Sequence, residues 1–335
     1  MLGDLDRKRL RNGLQGLSVP LELILHRGEG HALDQPLAKA AEQVAEAADG
    51  AITVREARRD DLPAAPGMVL SYRGRDNLRY LAVPHGPETP PYLDALLGLA
   101  GGAVATEGEW ARPLAGLKLP AELLVFIGPT CPHCPRAVRA ASRIALVHPL
   151  VTTTIIDAEQ FGELALRYAA RSVPLTVLDG EWTHVGVMPA EDLVQRILSR
   201  GTPEHEAAVL QSLLEVGRTT SAGQDLARGR RVQALLELWK KSATSERIGL
   251  MLASETALEQ EPRCLDPIVS GLCAVLDVDD ATLRGDTADL LGQIGDPSAL
   301  PALEALLGRE DNPDVKEIAE EALEVLKDES SRVES

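Results

Sequence analysis

Two cysteines separated by two residues, Cys131 and Cys134, are the side chains of this sequence best suited to chemistry. They follow the apolar run 123–127, which favours a strand, and they precede a helical pattern of apolar residues over 138–145. A helix N-terminus carries about half a positive charge from its aligned peptide dipoles, and that field stabilises a thiolate. Because the thiolate is the reactive form of cysteine, the pattern predicts that Cys131 is a nucleophile and that Cys134 resolves the mixed disulfide.

The two residues between the cysteines bear on this chemistry. His133 adds a titratable neighbour that favours the thiolate and raises the reduction potential by stabilising the reduced form. The alternative interpretation of His133 is a solvated loop residue with little effect on the thiols. Pro132 has no backbone N–H and fits the first turn of a helix.

A zinc site is the main alternative for a CxxC motif. It requires a second pair of Cys or His ligands, and the sequence contains no second CxxC. The other cysteines, Cys264 and Cys273, have eight residues between them and lie in a different predicted domain. We therefore expect no metal site. We expect Cys264 and Cys273 to be buried helix residues that behave as small hydrophobes, with a second redox pair as the alternative.

Composition and charge exclude several classes of protein. The 335 residues are 44% hydrophobic, enough for two or three packed domains. The net charge of −17 argues against non-specific nucleic-acid binding. No apolar stretch approaches the ~20 residues of a membrane span, and the first residues lack an apolar signal core. With four cysteines in so long a chain, we expect a cytoplasmic protein, in which CxxC is catalytic or metal-binding rather than structural.

The sequence also contains an internal repeat at an offset of 100 residues. Leu, Gly, Leu, Pro, Glu and Leu recur at matching positions of 14–23 and 114–123. The offset places His31 and Asp34 opposite the two cysteines, so the first copy lacks the dithiol. We expect the first copy to support the second copy, to contact substrate or to supply an acid–base group. The alternative interpretation is that the first copy is purely structural.

The same order of predicted elements follows in both copies, which indicates an α/β fold made of two similar halves. The first copy predicts strand 20–25, helix 34–48, strands 51–56, 68–72 and 78–83, and helix 90–100. The second predicts strand 121–127, helix 132–147, strand 151–157, helix 159–170, strands 175–178 and 182–187, and helix 189–199.

The last third of the sequence is predicted to be all-α. Residues 217–228 have the Gly, Ser and Thr content of a linker or exposed loop. Apolar positions then recur at offsets of 31 and 32 residues over 229–328, a spacing that resembles HEAT-like repeats. Such helical hairpins stack because none can bury its apolar stripe alone. The domain docks a protein partner or, alternatively, is a stabilising cap or dimerisation element.

Several segments within residues 8–200 carry a resemblance to a known family. They are the runs 19–24, 81–88 and 95–97, the pair Gly101-Gly102, the motif 131–135, the strand end 154–157 and the pair Val173-Pro174. With these segments the sequence resembles a tandem thioredoxin-fold protein, and in particular the N-terminal domain of the flavoprotein subunit of alkyl hydroperoxide reductase, which pairs an inactive and an active half. Archaeal-type protein disulfide oxidoreductases share the tandem design but usually keep two CxxC sites, so they match less well.

Together with the HEAT-like repeats, the resemblance predicts a fold class of α/β tandem thioredoxin-like folds followed by an all-α HEAT-like domain. The predicted domains are an inactive thioredoxin-like domain at 1–103, an active thioredoxin/glutaredoxin-like domain at 104–202, the HEAT-like domain at 203–328 and a disordered tail at 329–335.

The resemblance also assigns roles outside the motif. Val173-Pro174 matches the cis-proline loop that lies beside the dithiol and pairs with the substrate backbone, whereas spacing alone allows a trans proline equally well. Ala65-Pro66 is the corresponding proline of the first half. Glu88 matches an acid of the inactive half that lies near the active dithiol, and a carboxylate at that position is suited to accept the proton of the resolving or attacking thiol.

The predicted function is that of a thiol–disulfide oxidoreductase, a dithiol relay or protein disulfide reductase with a redox-active Cys131–Cys134 disulfide. The resemblance implies protein partners such as a peroxiredoxin and thioredoxin reductase. The sequence has no GxGxxG fingerprint, so we expect no bound flavin or nicotinamide and an external protein as electron donor or acceptor.

The sequence does not decide the direction of electron flow, because a proline–histidine pair between the cysteines also suits an oxidant. An alternative hypothesis for the function is a redox-sensing scaffold whose disulfide state controls docking through the HEAT-like domain. Neither hypothesis involves nucleic acid or a membrane.

Overall fold

The computed structural model describes residues 2–101 and 109–333, which form two compact units that divide after Arg200. The predicted boundary between the thioredoxin-like halves, at 103–104, lies outside the described residues. No helix in the described part of the chain is long and apolar enough to cross a membrane.

The first unit is built on one eight-stranded sheet. Its strands are β1 Leu21–His26, β2 Ile52–Glu56, β3 Gly67–Tyr72, β4 Arg75–Leu81, β5 Ala121–Ile127, β6 Val151–Asp157, β7 Leu175–Leu178 and β8 Trp182–Val185. The strand order is β2-β1-β3-β4-β6-β5-β7-β8. In each half, the first strand pairs parallel with the second and antiparallel with the third, so the structure confirms the predicted repeat.

The helices of the first unit repeat with the same spacing. They are α1 Asp4–Gly13, α2 Asp34–Ala47, α3 Thr89–Leu99, α4 Cys134–Val147, α5 Gly162–Arg167 and α6 Ala190–Leu198. Helix α2 and helix α4 begin and end at positions 100 residues apart. Each follows the first strand of its half, and each buries an apolar stripe that includes Ala41 or Ala141.

The two halves of the first unit share a core. Strands β4 and β6 pair in parallel across the boundary between the halves. The Asn77 side chain of β4 donates hydrogen bonds to the carbonyl oxygens of Ala145, at 2.7 Å, and Val151, at 2.8 Å. Helix α3 packs so closely on α4 that a Cβ on Gly98 would lie 2.5 Å from a methyl group of Leu146. Structural elements of the first half therefore hold the helix that follows the CxxC motif.

The second unit is helical throughout. Its helices are α7 Pro203–Glu215, α8 Thr219–Ala227, α9 Val232–Trp239, α10 Thr244–Gln260, α11 Val269–Cys273, α12 Ala281–Ile294, α13 Leu300–Arg309 and α14 Pro313–Val333. Neighbouring helices approach each other closely at glycines. At Gly292 of α12, for example, a Cβ would lie 3.1 Å from the Cα of Ala322 in α14. Helix α14 continues to Val333, five residues past the predicted end of the domain at 328.

The prediction of a linker at 217–228 is wrong, because α8 occupies most of that segment. Its Gly, Ser and Thr residues suggested a loop. Gly223 is instead needed for contact with α10, since a Cβ there would lie 2.6 Å from the Cβ of Thr256. Ala222 and Leu226 are fully buried and anchor the short helix.

Candidate active site

The CxxC motif lies between the end of β5 and the start of α4. Cys131 and Cys134 form a disulfide, and helix α4 begins at Cys134. Cys131 is partly exposed, whereas Cys134 is fully buried. The backbone N–H of Cys134 donates a hydrogen bond to the sulfur of Cys131 at 3.1 Å. In the reduced protein the same N–H and the helix dipole would stabilise a thiolate on Cys131, the cysteine that solvent reaches.

The Val173–Pro174 peptide bond is cis, as predicted. The carbonyl oxygen of Val173 lies 3.6 Å from the sulfur of Cys131. Gly128, at the start of the CxxC loop, allows this approach, since a Cβ there would lie 3.2 Å from a methyl group of Val173. A backbone carbonyl beside the exposed sulfur is a hydrogen-bond acceptor for a substrate backbone laid across the dithiol.

The first half reproduces this loop arrangement without the thiols. Ala65–Pro66 is also cis, as predicted, and Pro66 lies against Gly28, where a Cβ would be 2.6 Å from the proline nitrogen. Asp34 begins α2, as Cys134 begins α4. Its carboxylate accepts a hydrogen bond from the Gly28 N–H at 2.9 Å and one from the Arg27 guanidinium at 2.7 Å.

Electrostatics favour the charged form of Asp34. Burial opposes ionisation, but the Gly28 N–H and the Arg27 guanidinium outweigh it and hold the pKa of Asp34 below its ordinary value. Asp34, at the position equivalent to Cys134, is therefore an ionised carboxylate that is held in place by hydrogen bonds and has a structural role.

His31, at the position equivalent to Cys131, joins the two halves. Its ring stacks on Phe161 with 4.9 Å between ring centroids, and its Nε2 lies 3.2 Å from the carbonyl oxygen of Gln160. The Leu33 N–H donates a hydrogen bond to Nδ1 at 3.1 Å. With Nδ1 as acceptor, Nε2 carries the proton and donates to Gln160. The inactive half thus supports the loop that follows β6 of the active half.

Glu88 is a buried carboxylic acid near the helix that carries Cys134. It ends the 3₁₀ turn Gly86–Glu88, which packs against α4, and only 8% of its surface is exposed. Neither carboxylate oxygen has a hydrogen-bond partner among the described residues. Burial raises the pKa of Glu88 to about 7, and the positive charge of Arg139 opposes that rise. Glu88 can therefore gain and lose a proton near neutral pH.

Arg139 is a neighbour of Glu88 that the sequence reasoning missed. It lies on α4, and its guanidinium donates a hydrogen bond to the Asp94 carboxylate of α3 at 2.8 Å. Asp94 also pairs with Arg9 of α1. No periodicity marks Arg139 in the sequence, because its role depends on how α3 and α4 pack across the two halves.

His133 is exposed and immediately precedes the first residue of α4. Its side chain lies between the cysteines without a hydrogen-bond partner among residues 2–101 and 109–333, and its backbone carbonyl accepts a hydrogen bond from the Arg136 N–H. Its predicted influence on the thiolate therefore rests on charge alone and stays a prediction.

The other two cysteines have unreactive surroundings. Cys264 is buried, in a turn after α10 rather than in the predicted helix, and Cys273 is partly buried at the end of α11. Burial raises the pKa of both thiols, which lowers the thiolate fraction at neutral pH. In the described part of the chain, no group of three or more His, Cys, Asp or Glu side chains is placed to hold a metal ion.

Comparisons with known proteins find similarity in both units. Residues 121–199 match the thioredoxin domain family, and residues 252–324 match HEAT repeats. The alkyl hydroperoxide reductase F subunit of Xanthomonas campestris pv. phaseoli is 27% identical over 140 residues, which are 42% of this chain and 26% of that protein. The Pseudomonas putida protein of the same name is 25% identical over 198 residues, 57% of this chain and 36% of that protein.

Solved structures give the same result for the fold. The NTD_N/C domain of the alkylhydroperoxide reductase AhpF of Enterococcus faecalis matches with a TM-score of 0.51 at 21% identity, over 59% of this chain and all 100% of that one. A protein disulfide oxidoreductase from Aeropyrum pernix matches with a TM-score of 0.50 at 20% identity, over 62% of this chain and 94% of that one.

The chain is a tandem thioredoxin fold followed by HEAT repeats. The tandem thioredoxin unit is homologous to the N-terminal region of the reductase proteins, and the first of those relatives is matched over only about a quarter of its length. The thioredoxin family match covers the second half alone, in agreement with a first half that has His31 and Asp34 in place of the cysteines. The match of residues 252–324 to HEAT repeats confirms the repeats predicted from the sequence.

Proposed function

We propose that this protein is a thiol–disulfide oxidoreductase whose reactive group is the Cys131–Cys134 pair. The Cys131 thiolate attacks one sulfur of a substrate disulfide, forms a mixed disulfide and releases the other substrate sulfur as a thiolate. Cys134 then loses its proton and attacks the sulfur of Cys131, which releases the second substrate thiol and leaves the Cys131–Cys134 disulfide. Two electrons pass from the protein to the substrate, which takes up two protons in becoming two thiols.

The observation that carries the proposal is the environment of the disulfide. The sulfur of Cys131 is partly exposed just before the start of α4, receives a hydrogen bond from the Cys134 N–H, and lies near the Val173 carbonyl of a cis-proline loop. Each of these features supports attack by Cys131 on an extended substrate, while burial of Cys134 suits a resolving thiol.

Glu88 is proposed as the proton acceptor for Cys134. A buried thiol needs a base before it can attack, and the base works best when its pKa is near the operating pH. The pKa of about 7 and the unpaired oxygens of Glu88 meet that requirement, and its 3₁₀ turn packs against the helix of Cys134. His133 is proposed to favour the thiolate of Cys131 through its charge.

The place of the protein in electron transfer is proposed as a relay between two other proteins, with no bound flavin or nicotinamide. The reductase proteins that it resembles give the precedent for a peroxiredoxin-like acceptor, and a thioredoxin reductase is the corresponding donor. The HEAT unit is proposed to dock one of these partners. It carries 27 acidic and 13 basic residues, so it supplies −14 of the total charge of −17 and favours a basic partner surface.

The test is the reduction potential of the pair in a glutathione redox buffer, with Cys264 and Cys273 changed to Ala. A value near −270 mV, typical of thioredoxin, is expected for a reductase or relay. A value near −120 mV, typical of strong oxidants, would overturn the relay and indicate disulfide formation. In parallel, Cys134→Ser is expected to accumulate a mixed disulfide with substrate, whereas Cys131→Ser is not. Full activity of the Cys131→Ser variant would exclude Cys131 as the nucleophile.

A further inference from the structure

We propose that Arg136 and Arg171 make this protein selective for disulfides that have an acidic residue beside the reacting cysteine. The inference rests on the proposed oxidoreductase function and adds the class of substrate. It concerns two cationic side chains, one in the first turn of α4 after Cys134 and one just before the cis-proline pair Val173-Pro174.

Each arginine is two residues away from a group that contacts the sulfur of Cys131. Arg171 is two residues before Val173, whose carbonyl oxygen lies 3.6 Å from that sulfur. Arg136 is two residues after Cys134, whose N–H bonds to the same sulfur. Two residues span at most ~7 Å of chain, so both backbone positions lie within two screening lengths of the sulfur, at about 8 Å each at physiological ionic strength. Charges at both positions therefore act on a substrate bound at the dithiol.

Both guanidinium groups are also available. Most arginines of the tandem thioredoxin unit have a carboxylate, backbone or aromatic partner, as in the ion pairs of Arg27, Arg59 and Arg79. Arg136 and Arg171 are exposed, and neither has an ion-pair partner within the described ranges 2–101 and 109–333. An exposed, unpaired guanidinium presents a planar set of donors that matches a carboxylate.

The charge changes sign across the dithiol. Strand β5, which leads to the CxxC motif, lies between β7, which follows the cis-proline loop, and β6. The loop and helix after β6 carry three acidic residues, Asp157, Glu159 and Glu163, against one basic residue, Arg167. That side is thus net negative, whereas Arg171 lies on the cis-proline side, where the substrate backbone is proposed to pair.

This local arrangement opposes the charge of the whole molecule. A net charge of −17 would attract basic substrates at long range. The two arginines instead favour an acidic residue at the reacting cysteine. The two effects predict opposite orders of substrate preference, so a rate comparison can separate them.

The experiment uses the full-length protein with Cys264 and Cys273 changed to Ala, reduced beforehand and mixed with a limiting amount of a cyclic peptide disulfide. Three peptides differ only in the residues beside one cysteine, which are Asp, Asn or Lys. The second-order rate constant of peptide reduction is measured by chromatography at physiological ionic strength and again in 0.5 M salt, about 4 Å of screening length. At physiological ionic strength the Asp peptide is expected to react about tenfold faster than the Lys peptide, and added salt should reduce that difference.

Charge reversal then tests the residues. Arg136→Glu/Arg171→Glu is expected to invert the Asp-to-Lys ratio, and each single change to shift it part of the way. Lys118→Glu is the matched control for each single substitution, because it makes the same charge change beyond the other end of β5, a seven-residue strand of about 20 Å. The control should leave the ratio as it is in the parent.

The proposed selectivity is overturned if the parent protein prefers the Lys peptide, or if the Lys118→Glu control changes the Asp-to-Lys ratio as much as the arginine substitutions do. It is also contradicted if the double charge reversal lowers the rate equally for all three peptides. If that variant also has a lowered melting temperature, Arg136→Gln/Arg171→Gln repeats the measurement without introducing negative charges. Failure of the parent to reduce even the Asn peptide would instead count against the proposed function.

Discussion

The Asp34 carboxylate accepts a hydrogen bond from the Gly28 N–H at 2.9 Å, across the same loop that the Cys131–Cys134 disulfide closes in the second half. Both loops join the first strand of a half to its first helix, and both lie against a cis-proline. The loop of the first half therefore has a polar closure that does not depend on redox state, at the place where the second half has a covalent, redox-dependent one. That stability suits a half whose own contacts, through His31, support the active half.

Asp34→Asn tests this closure. The lost charge weakens the hydrogen bonds from Gly28 and Arg27, and we expect a loss of unfolding free energy of about 1 kcal/mol at pH 7. Because the pKa of Asp34 is lowered in the folded protein, its contribution is present above the unfolded value of 3.8 and is lost as pH falls through the folded value. Urea unfolding at pH 7 and pH 3 measures both effects. Asp49→Asn, at an exposed aspartate just after α2, is the control and should change neither.

Sequence reasoning located the parts of the fold that local patterns determine. Strands β5 and β6 begin and end at the predicted residues, because each is a mostly apolar or β-branched run bounded by turn residues. Helix α5 is shorter than predicted at both ends. The Asp157 carboxylate holds a turn over Glu159 and Gln160, and Ala169 has a positive φ that ends the helical segment.

Other elements depend on packing that no local pattern reveals. Helix α1 has little apolar content, yet Leu10 is fully buried and Arg9 pairs with Asp94. Helix α8 has the composition of a loop and becomes a helix through its contact with α10. In the site, the cysteines and the cis-proline were predictable from short motifs, whereas the availability of Arg136 and Arg171 emerges only from the distribution of ion pairs over the folded unit.

Glu88→Gln tests the proposed proton acceptor. Without a base for Cys134, resolution of the mixed disulfide is expected to slow about 100-fold at pH 8, while attack by Cys131 should change little. In the parent the resolution rate should fall as pH drops through about 7, the pKa of Glu88, because the protonated acid cannot accept a proton. Rapid-mixing experiments that separate the two steps provide the measurement. The same pH dependence in Glu88→Gln and the parent would assign the inflection to another group.

The same variant has a stability signature with a defined sign. The pKa of Glu88 rises from 4.5 to about 7 on folding, so ionisation destabilises the folded protein as pH rises between those values. Glu88→Gln should therefore be more stable than the parent above pH 7, by up to about 3 kcal/mol, and lose that advantage by pH 4.5. Thermal unfolding from pH 4 to 8 measures the difference. Glu109→Gln, at a side chain that is 93% exposed, should follow the parent throughout.

His31→Ala tests the link between the halves. It removes the ring stacked on Phe161 and the donor to Gln160, so we expect faster hydrogen exchange in residues 157–162 and a loss of about 1–2 kcal/mol of unfolding free energy. His31→Phe keeps a stacking ring and removes the hydrogen bond, and it should recover part of the loss. If exchange in 157–162 is unaffected by His31→Ala, the first half does not support that loop through this contact.

Gly223→Ala tests the packing of α8 in the HEAT unit. An added Cβ would lie 2.6 Å from the Cβ of Thr256 and 2.8 Å from the carbonyl oxygen of Ala253, so α8 and α10 must separate. We expect the free energy of opening of α10, measured by native-state hydrogen exchange, to fall by about 1–3 kcal/mol. Gly308→Ala makes the same change in α13, where no atom would lie within 4 Å, and should raise local stability by about 0.5–1 kcal/mol. Equal effects at both glycines would mean that helix propensity, rather than contact between α8 and α10, determines the response.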